Sequence, residues 1–414
     1  MSSILAIDFG TSNSAAAILE GGAVRRVPIE GASDTLPTAV FFPARGGAMR
    51  IGDAAAAALI GAEEGRYMRA LKSVLGTPLL HESRLIGGRR RTLAQVITAF
   101  LTELRQRAEA GTGRPLARVL SGRPVRFHPD PARDAQAEAD LRACYHAAGF
   151  EDVAFMPEPE AAALACHGMG GASETGLIMD IGGGTSDFSV YRTEGGRVRI
   201  LASHGIRLGG TDFDGAVSLT HAMPLLGHGS QLRREMGPGL LPVPNAIYVD
   251  LADWAHIPFT YTPENRRQAR QMARLAAEPA LLERLVTLLT DELGHDLAFA
   301  VERAKIAAND GTGTQIGMGF IEPHLAAAIS RASLGDALEG FGRDLQEAVS
   351  DTLAGAGVAA GEIGSVVLVG GSSLMGLVTD LAARMLPAAR LHRSEAFTAV
   401  VDGLALGTAV EQRS

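Results

Sequence analysis

The sequence predicts an α/β chain of two duplicated lobes with a cleft between them, and three observations carry that prediction. A pattern of apolar run, glycine turn and second apolar run occurs twice, at residues 3–19 and 176–191. In each copy an aspartate closes the first run and a glycine follows two residues later: Asp8 and Gly10, then Asp180 and Gly182. Between and after the copies lie stretches rich in Ala, Leu and Arg with helical spacing.

Taken in order, Ser3-Ile-Leu-Ala-Ile-Asp8 is short and apolar, as a buried strand is. Phe9-Gly-Thr-Ser-Asn13 is a turn, and Ala15-Ala-Ala-Ile-Leu19 resumes the apolar run as a second strand. Leu93 to Ala110 and Pro131 to Ala148 read as helices, with Val119-Leu120 as a strand end between them. Gly168 to Thr175 is glycine-rich and marks a boundary, so that residues 1–171 form one lobe and 172–414 the other. The second lobe opens with the repeated hairpin, Gly176 to Asp180, Ile181-Gly-Gly-Gly-Thr185 and Asp187 to Tyr191, and includes a helical subdomain at about 212–330. Met223 to Tyr261 is rich in Pro and Gly, lacks a period and holds the single tryptophan, Trp254; it reads as an irregular insertion. Pro263 to Ala308 predicts two helices broken near Pro279. Ser365-Val-Val-Leu-Val-Gly-Gly371 is a further strand running into a glycine turn and a helical segment.

Composition bounds what such a chain does. Its 414 residues, 46% hydrophobic, suffice for a large core. The formal charge of -8 argues against nucleic-acid and anionic-membrane partners, both of which reward a basic surface. No apolar run is long enough to span a bilayer, and the first ten residues lack the pattern of a secretion signal, so a cytoplasmic location is expected. Cys144 and Cys166 form no metal or redox pattern and read as buried thiols of a reducing compartment. Lysine occurs only at Lys72 and Lys305, the other 36 of 38 basic residues being arginine. A compact ammonium is not interchangeable with guanidinium against phosphate or ribose oxygens, so both lysines are candidate site residues.

The glycine turns suggest what the lobes hold. Backbone amides in Gly10-Thr11-Ser12-Asn13 and Gly182-Gly183-Gly184-Thr185 can cradle phosphate because no side chain blocks approach. Two such turns facing each other could clamp a triphosphate, with Asp8 and Asp180 placed to hold hydrated Mg2+. A P-loop is excluded because its G-x-x-x-x-G-K-[ST] motif is missing. A dinucleotide site needs strand, turn and helix, whereas both turns here lead into strands.

These motifs resemble the two phosphate motifs and the adenosine motif (Val369-Gly-Gly-Ser372) of the actin, sugar-kinase and heat-shock chaperone superfamily. Finer matches resemble the DnaK-type chaperones: Leu71-Lys-Ser-Val-Leu-Gly76, Pro157-Glu-Pro-Glu-Ala-Ala-Ala163, Leu208-Gly-Gly-Thr-Asp-Phe-Asp214 and Glu302-Arg-Ala-Lys305. The resemblance implies an actin-like ATPase fold, with ribonuclease H-like duplicated lobes around a central nucleotide cleft. It implies ATP and Mg2+ as cofactors, with Asp8, Glu158 and Asp180 holding the hydrated metal. Gly10, Thr11, Ser12 and Asn13, together with Gly182, Gly183, Gly184, Gly209 and Gly210, would lie at the phosphates. Lys72 would neutralise charge on the transferred phosphoryl group, and Thr185 and Asp187, with Asp180, would orient the attacking water. Glu302 and Lys305 would meet the ribose, Asn309, where the family has a serine, would be a further nucleotide-binding residue, and Gly370, Gly371 and Ser372 would flank adenine.

Two departures bear on this. Ile306 and Leu374 stand where the family carries arginines beside adenine, which weakens stacking and base choice. The sequence ends at Ser414, leaving no room for a peptide-binding domain, so it resembles the truncated, YegD-type relatives. The expected activity is slow Mg-dependent ATP hydrolysis that opens and closes the lobes in a chaperone-like manner. Expected partners are ATP and ADP and a protein partner or exchange factor. The alternatives are a nucleotide-binding interaction module with little hydrolysis and a small-molecule kinase of the same superfamily.

Overall fold

Apolar runs bounded by glycine turns build a six-stranded and a five-stranded sheet that share a five-strand order, the sixth strand of the first, Thr35–Pro37, pairing with Asn13–Glu20. The computed structural model describes residues 4–31, 33–61, 63–165, 173–194, 197–311, 313–393 and 398–411. Cys166 and most of Gly168 to Thr175 lie outside the described residues; Cys144 is buried. The chain divides into two compact units. The first comprises Met1–Gly210, Gly342–Leu374 and Val378–Ser414, the second Thr211–Phe341 and Met375–Leu377.

In the first unit, β1 (Ile4–Phe9), β2 (Asn13–Glu20) and β3 (Ala23–Arg26) form an antiparallel meander. The strands β4 (Arg118–Arg123) and β5 (Asp152–Pro157) extend the sheet in parallel on the other side of β1, giving the order β5-β4-β1-β2-β3. The second sheet repeats that plan. Its meander is β6 (Ser173–Ile181), β7 (Ser186–Glu194) and β8 (Arg197–Ile206), and β9 (Ser365–Val369) and β10 (Arg390–Arg393) add in parallel beside β6. In both copies the Asp-x-Gly turn joins the first two strands. The registers correspond as well: Asp8 lies opposite Ala15, and Asp180 lies opposite Asp187. The two copies therefore differ at one informative place, where the second puts a carboxylate and the first a methyl.

The connections are helical where the spacing predicts it. The helix α1 (Leu93–Thr112) starts with a capping box, Thr92 Oγ1 accepting from Gln95 N and Gln95 Oε1 from Thr92 N, and ends at Gly113 in the left-handed region. Next come α2 (Pro131–Ala147), capped by Asp130, and α3 (Glu158–Ala165), which starts where β5 stops. The small residues of α3 pack against the helix Ala399–Glu411, and both sheets contribute to the core around them: Ala6 and Leu120 from one, Ile178 and Val369 from the other. The fit is close enough that a Cβ on Gly403 would fall within the Ala161 carbonyl.

The second unit differs from the expected two helices. Pro263 to Ala308 forms three: α4 (Pro263–Leu275), α5 (Pro279–Thr290) and α6 (Gly294–Asn309). Pro279 opens α5 as a first-turn proline. The unexpected second break falls at Glu292, whose φ of 58° is left-handed without the glycine that usually marks such a stop. The Met223 to Tyr261 stretch is also more ordered than its composition suggests. It contains a 3-10 turn at Met223–Leu226, a hairpin of Gln231–Arg233 with Leu240–Pro242, and short helices at Ala246–Ala252 and Ile257–Thr260. Its tryptophan is an anchor: Trp254 is buried and donates from Nε1 to Asp214 Oδ2 at 3.1 Å.

Candidate functional site

The sheet edges place the predicted carboxylates by register. Asp8 ends β1 and Asp180 ends β6, each just before its glycine turn. Asp180 and Asp187 are direct cross-strand partners, an arrangement that like charges disfavour. Glu158 arrives differently, as the first residue of α3 after β5. Lys72 sits on the 3-10 turn Leu71–Val74, entered through Ala70 at φ 57°, a left-handed alanine that re-aims the chain toward the site.

The two glycine turns face each other. A Cβ on Gly183 would strike Ser12 Oγ and lie 3.1 Å from Thr11 Cβ, and one on Gly184 would lie 3.1 Å from Thr11 Oγ1. A side chain on Gly183 would clash outright, and one on Gly184 would press the Thr11 side chain, so the two turns pack backbone to side chain at close range. The Gly182 amide closes its own turn by donating to Thr185 O at 2.9 Å, and Gly210 N donates to Gly182 O at 3.0 Å. Gly209 lies against Gly183, where a Cβ would meet its carbonyl carbon at 2.5 Å. Gly210 abuts Ser372 Oγ. Gly370, at φ 81°, brings the Gly371–Leu374 turn against Ile181 and Asp180. Gly10 folds back on the Asn13 carbonyl.

Under these turns lies a charge cluster. Lys72 Nζ is 2.6 Å from Glu158 Oε1, and Lys72, Glu158, Asp180 and Asp187 are all buried, while Asp8 is half-buried. Burial, then the charge of Glu158, pushes the Asp8 carboxyl up to about 7, with Lys72 pulling back. Asp180 and Asp187 are raised well above the usual carboxylate range, again by burial first and then by Glu158. Burial disfavours the Lys72 ammonium, but Glu158, Asp8 and Asp187 outweigh it and hold its pKa above the usual lysine value. Asp187 is pinned, its Oδ1 accepting from Val125 N at 2.7 Å. Four acids thus surround one cation. Among the described residues, no three acidic, histidine or cysteine side chains converge tightly enough to grip a bare metal ion.

A cavity of about 20 Å³, room for one water, opens beside the cluster and is lined by Thr11, Lys72, Phe127, Gly184, Thr185 and Arg207 among others. Arg207 and Phe127 were not expected there. Arg207 is exposed and donates from Nη2 to Ser73 O at 2.8 Å, so it sits on the turn that carries Lys72. The adjacent Leu208-Gly-Gly motif was the available signal.

The remaining candidates belong to the second unit. Glu302, Lys305 and Asn309 lie on α6. Lys305 is buried, with Nζ 2.7 Å from Asp214 Oδ1. Asp214, to which no role had been attached, therefore fixes both Lys305 and Trp254. Its carboxyl is raised by burial, with Lys305 opposing. Asn309 Oδ1 accepts from Gly376 N at 2.7 Å.

Comparison with known proteins gives two findings. Residues 81–224 match the family described as Hsp70 protein. Over 382 residues the chain is 30% identical to "Chaperone protein DnaK" of Methanothermobacter thermautotrophicus, an alignment covering 91% of this chain and 54% of that protein. The chain thus spans about half the length of the curated relative it matches. Together the matches support an Hsp70-type family. That family implies the actin-like ATPase fold, with which this mixed α/β chain of several sheets is consistent. Among the described residues no helix is long and apolar enough to cross a membrane.

Proposed function

We propose that this Hsp70-type chain binds ATP with Mg2+ and hydrolyses it slowly, the bound nucleotide setting whether its lobes are open or closed. The observation that carries the reading is the cluster itself: Asp8, Glu158, Asp180 and Asp187 around the single ammonium of Lys72, beneath two glycine turns in contact. Bound Mg2+, held through water by Asp8, Glu158 and Asp180, would supply the positive charge this acidic cluster lacks. The turns Gly10–Asn13 and Gly182–Thr185 would offer amides and hydroxyls to the phosphates, with Gly209 and Gly210 packed behind them. Lys72 would stabilise charge on the transferred phosphoryl group, and Arg207 would add a second cation at the same cavity. Thr185 would hold the attacking water for Asp187, whose raised pKa suits it to take the proton.

On the nucleoside side, Glu302, Lys305 and Asn309 would meet the ribose, and Gly370, Gly371 and Ser372 the base. Ile306 and Leu374, 52% and 43% exposed, offer apolar surface in place of guanidinium stacking. We place the protein in the cytoplasm, acting in a chaperone-like way with a protein partner or exchange factor. The close Lys72–Glu158 pair favours one second reading, a module that binds nucleotide and hydrolyses little.

Calorimetric titration with ATP, ADP and GTP tests the nucleotide claim. ATP and ADP should bind in MgCl2 and lose most affinity in chelator, with GTP weaker by no more than about tenfold, because the stacking groups are missing. No heat with any nucleotide would end the proposal.

A further inference from the structure

The second unit is acidic overall, yet six of its ten Lys and Arg residues fall between Arg233 and Arg274. Arg267, Arg270 and Arg274 recur at three- and four-residue spacing on α4, so they share one face, and all are exposed. The stripe spans about 10 Å of helix. Arg233 and Arg234 are exposed on the neighbouring hairpin. None of these five has a carboxylate partner among the described residues, whereas the nearby Arg266 reaches Glu292 at 2.6 Å.

The hairpin and the stripe are one surface. Gln271, in the middle of the arginine face, donates to Glu235 at 2.9 Å, and Ala277 N donates to Gln231 O at 2.8 Å. Beside Glu235 the same hairpin exposes Met236 at 88%, Leu240 at 49% and Leu241 at 46%. No other short stretch of the described chain bares three large apolar side chains. Unneutralised guanidiniums around an apolar centre are the composition of a protein interface, in which arginine and large apolar side chains carry most of the binding.

We propose that this hairpin and the arginine face of α4 form a docking surface for a partner protein that presents acidic side chains around an apolar centre. Charge complementarity selects the acidic rim. A nucleic acid is disfavoured, because the chain carries -8 overall and neither Gln231–Pro242 nor α4 contains an aromatic residue for base stacking. The net charge likewise repels an anionic membrane. The inference stands apart from the nucleotide site and does not depend on it.

The test is fluorescence anisotropy on the full chain, with a labelled synthetic peptide alternating glutamate pairs and leucine pairs. An all-glutamate peptide, single-stranded DNA and phosphatidylserine vesicles run in parallel. The Glu–Leu peptide should bind, and binding should weaken with added salt. It should fall by about tenfold or more in Arg267→Glu/Arg270→Glu/Arg274→Glu, and similarly in Met236→Ser/Leu240→Ser/Leu241→Ser. All substituted side chains are exposed, and unchanged thermal melting of both variants verifies folding. The proposal is overturned by no binding, by either folded variant binding as wild type does, by equal binding of the all-glutamate peptide, or by tighter binding to DNA or vesicles.

Discussion

Replacing Lys72 with methionine keeps most of the side chain's volume and removes its charge, which isolates the electrostatic role of the single ammonium in the acidic cluster. In the native chain the Lys72 and Glu158 side chains are 6% and 10% exposed and 2.6 Å apart. Taking one partner from a buried pair strands the other, at a cost of about 3–5 kcal/mol. The stranded Glu158 faces Asp8, Asp180 and Asp187, which places Lys72→Met toward the upper end. The cost should be smaller at pH 5 than at pH 8, since Asp8, titrating near 7, is then protonated and one repelling charge is gone. Lys72→Met/Glu158→Gln should recover most of the stability and none of the activity. Urea unfolding at the two pH values reads the first part. Single-turnover ATP hydrolysis reads the second, with an expected loss of about 10²–10³ in rate for removing one positioned charge. If Lys72→Met unfolds at the wild-type urea concentration at pH 8, the ion pair does not hold the cluster together. If it hydrolyses ATP at the wild-type rate, the catalytic role assigned to Lys72 is wrong.

The cluster also makes stability depend on pH with a definite sign. The folded-state pKa of Asp8, about 7, lies above its unfolded value of 3.8, so its contribution is full below the lower value and is lost as pH rises through 7. At 1.36 kcal/mol per pH unit this is on the order of 4 kcal/mol at most. Asp180 and Asp187 act in the same direction. Melting temperature in chelator should therefore fall from pH 5 to pH 8, and MgCl2 should raise it more at pH 8; a chelator melting curve that climbs over that range would refute the assignment. Packing gives an independent prediction. Gly403→Ala would drive a Cβ into the Ala161 carbonyl and to 2.9 Å from Ala161 Cα, and should cost about 1–3 kcal/mol by overpacking, read as a lower urea midpoint at unchanged slope.

The features legible in the sequence are those set by local chemistry. A glycine turn between two short strand-like runs reads as a hairpin. Its recurrence at Asp8 and Asp180 led to two sheets that share a five-strand order. The helix break at Glu292 was not legible, because the left-handed position holds a glutamate where a glycine would mark the stop, and the local bond that closes the helix, Leu293 N to Leu288 O, leaves no trace in composition. The same distinction separates the site residues. Asp8, Asp180 and the glycines announce themselves by spacing, whereas Arg207 and Asp214 matter only through what they touch. The pairing of Lys72 with Glu158 joins positions 86 apart, and that of Lys305 with Asp214 joins two separate segments.

The lysines connect the two levels. In a chain whose 38 basic residues include only two lysines, both lysines are buried and closely ion-paired, with Glu158 and with Asp214. A surface position would accept either cation. A buried pocket shaped around one carboxylate oxygen accepts the compact ammonium and excludes the broad, five-donor guanidinium, which would leave donors unsatisfied away from water. On this argument the composition already pointed to two of the places where charge is buried, and Lys72→Arg should fail at the cluster nearly as badly as Lys72→Met.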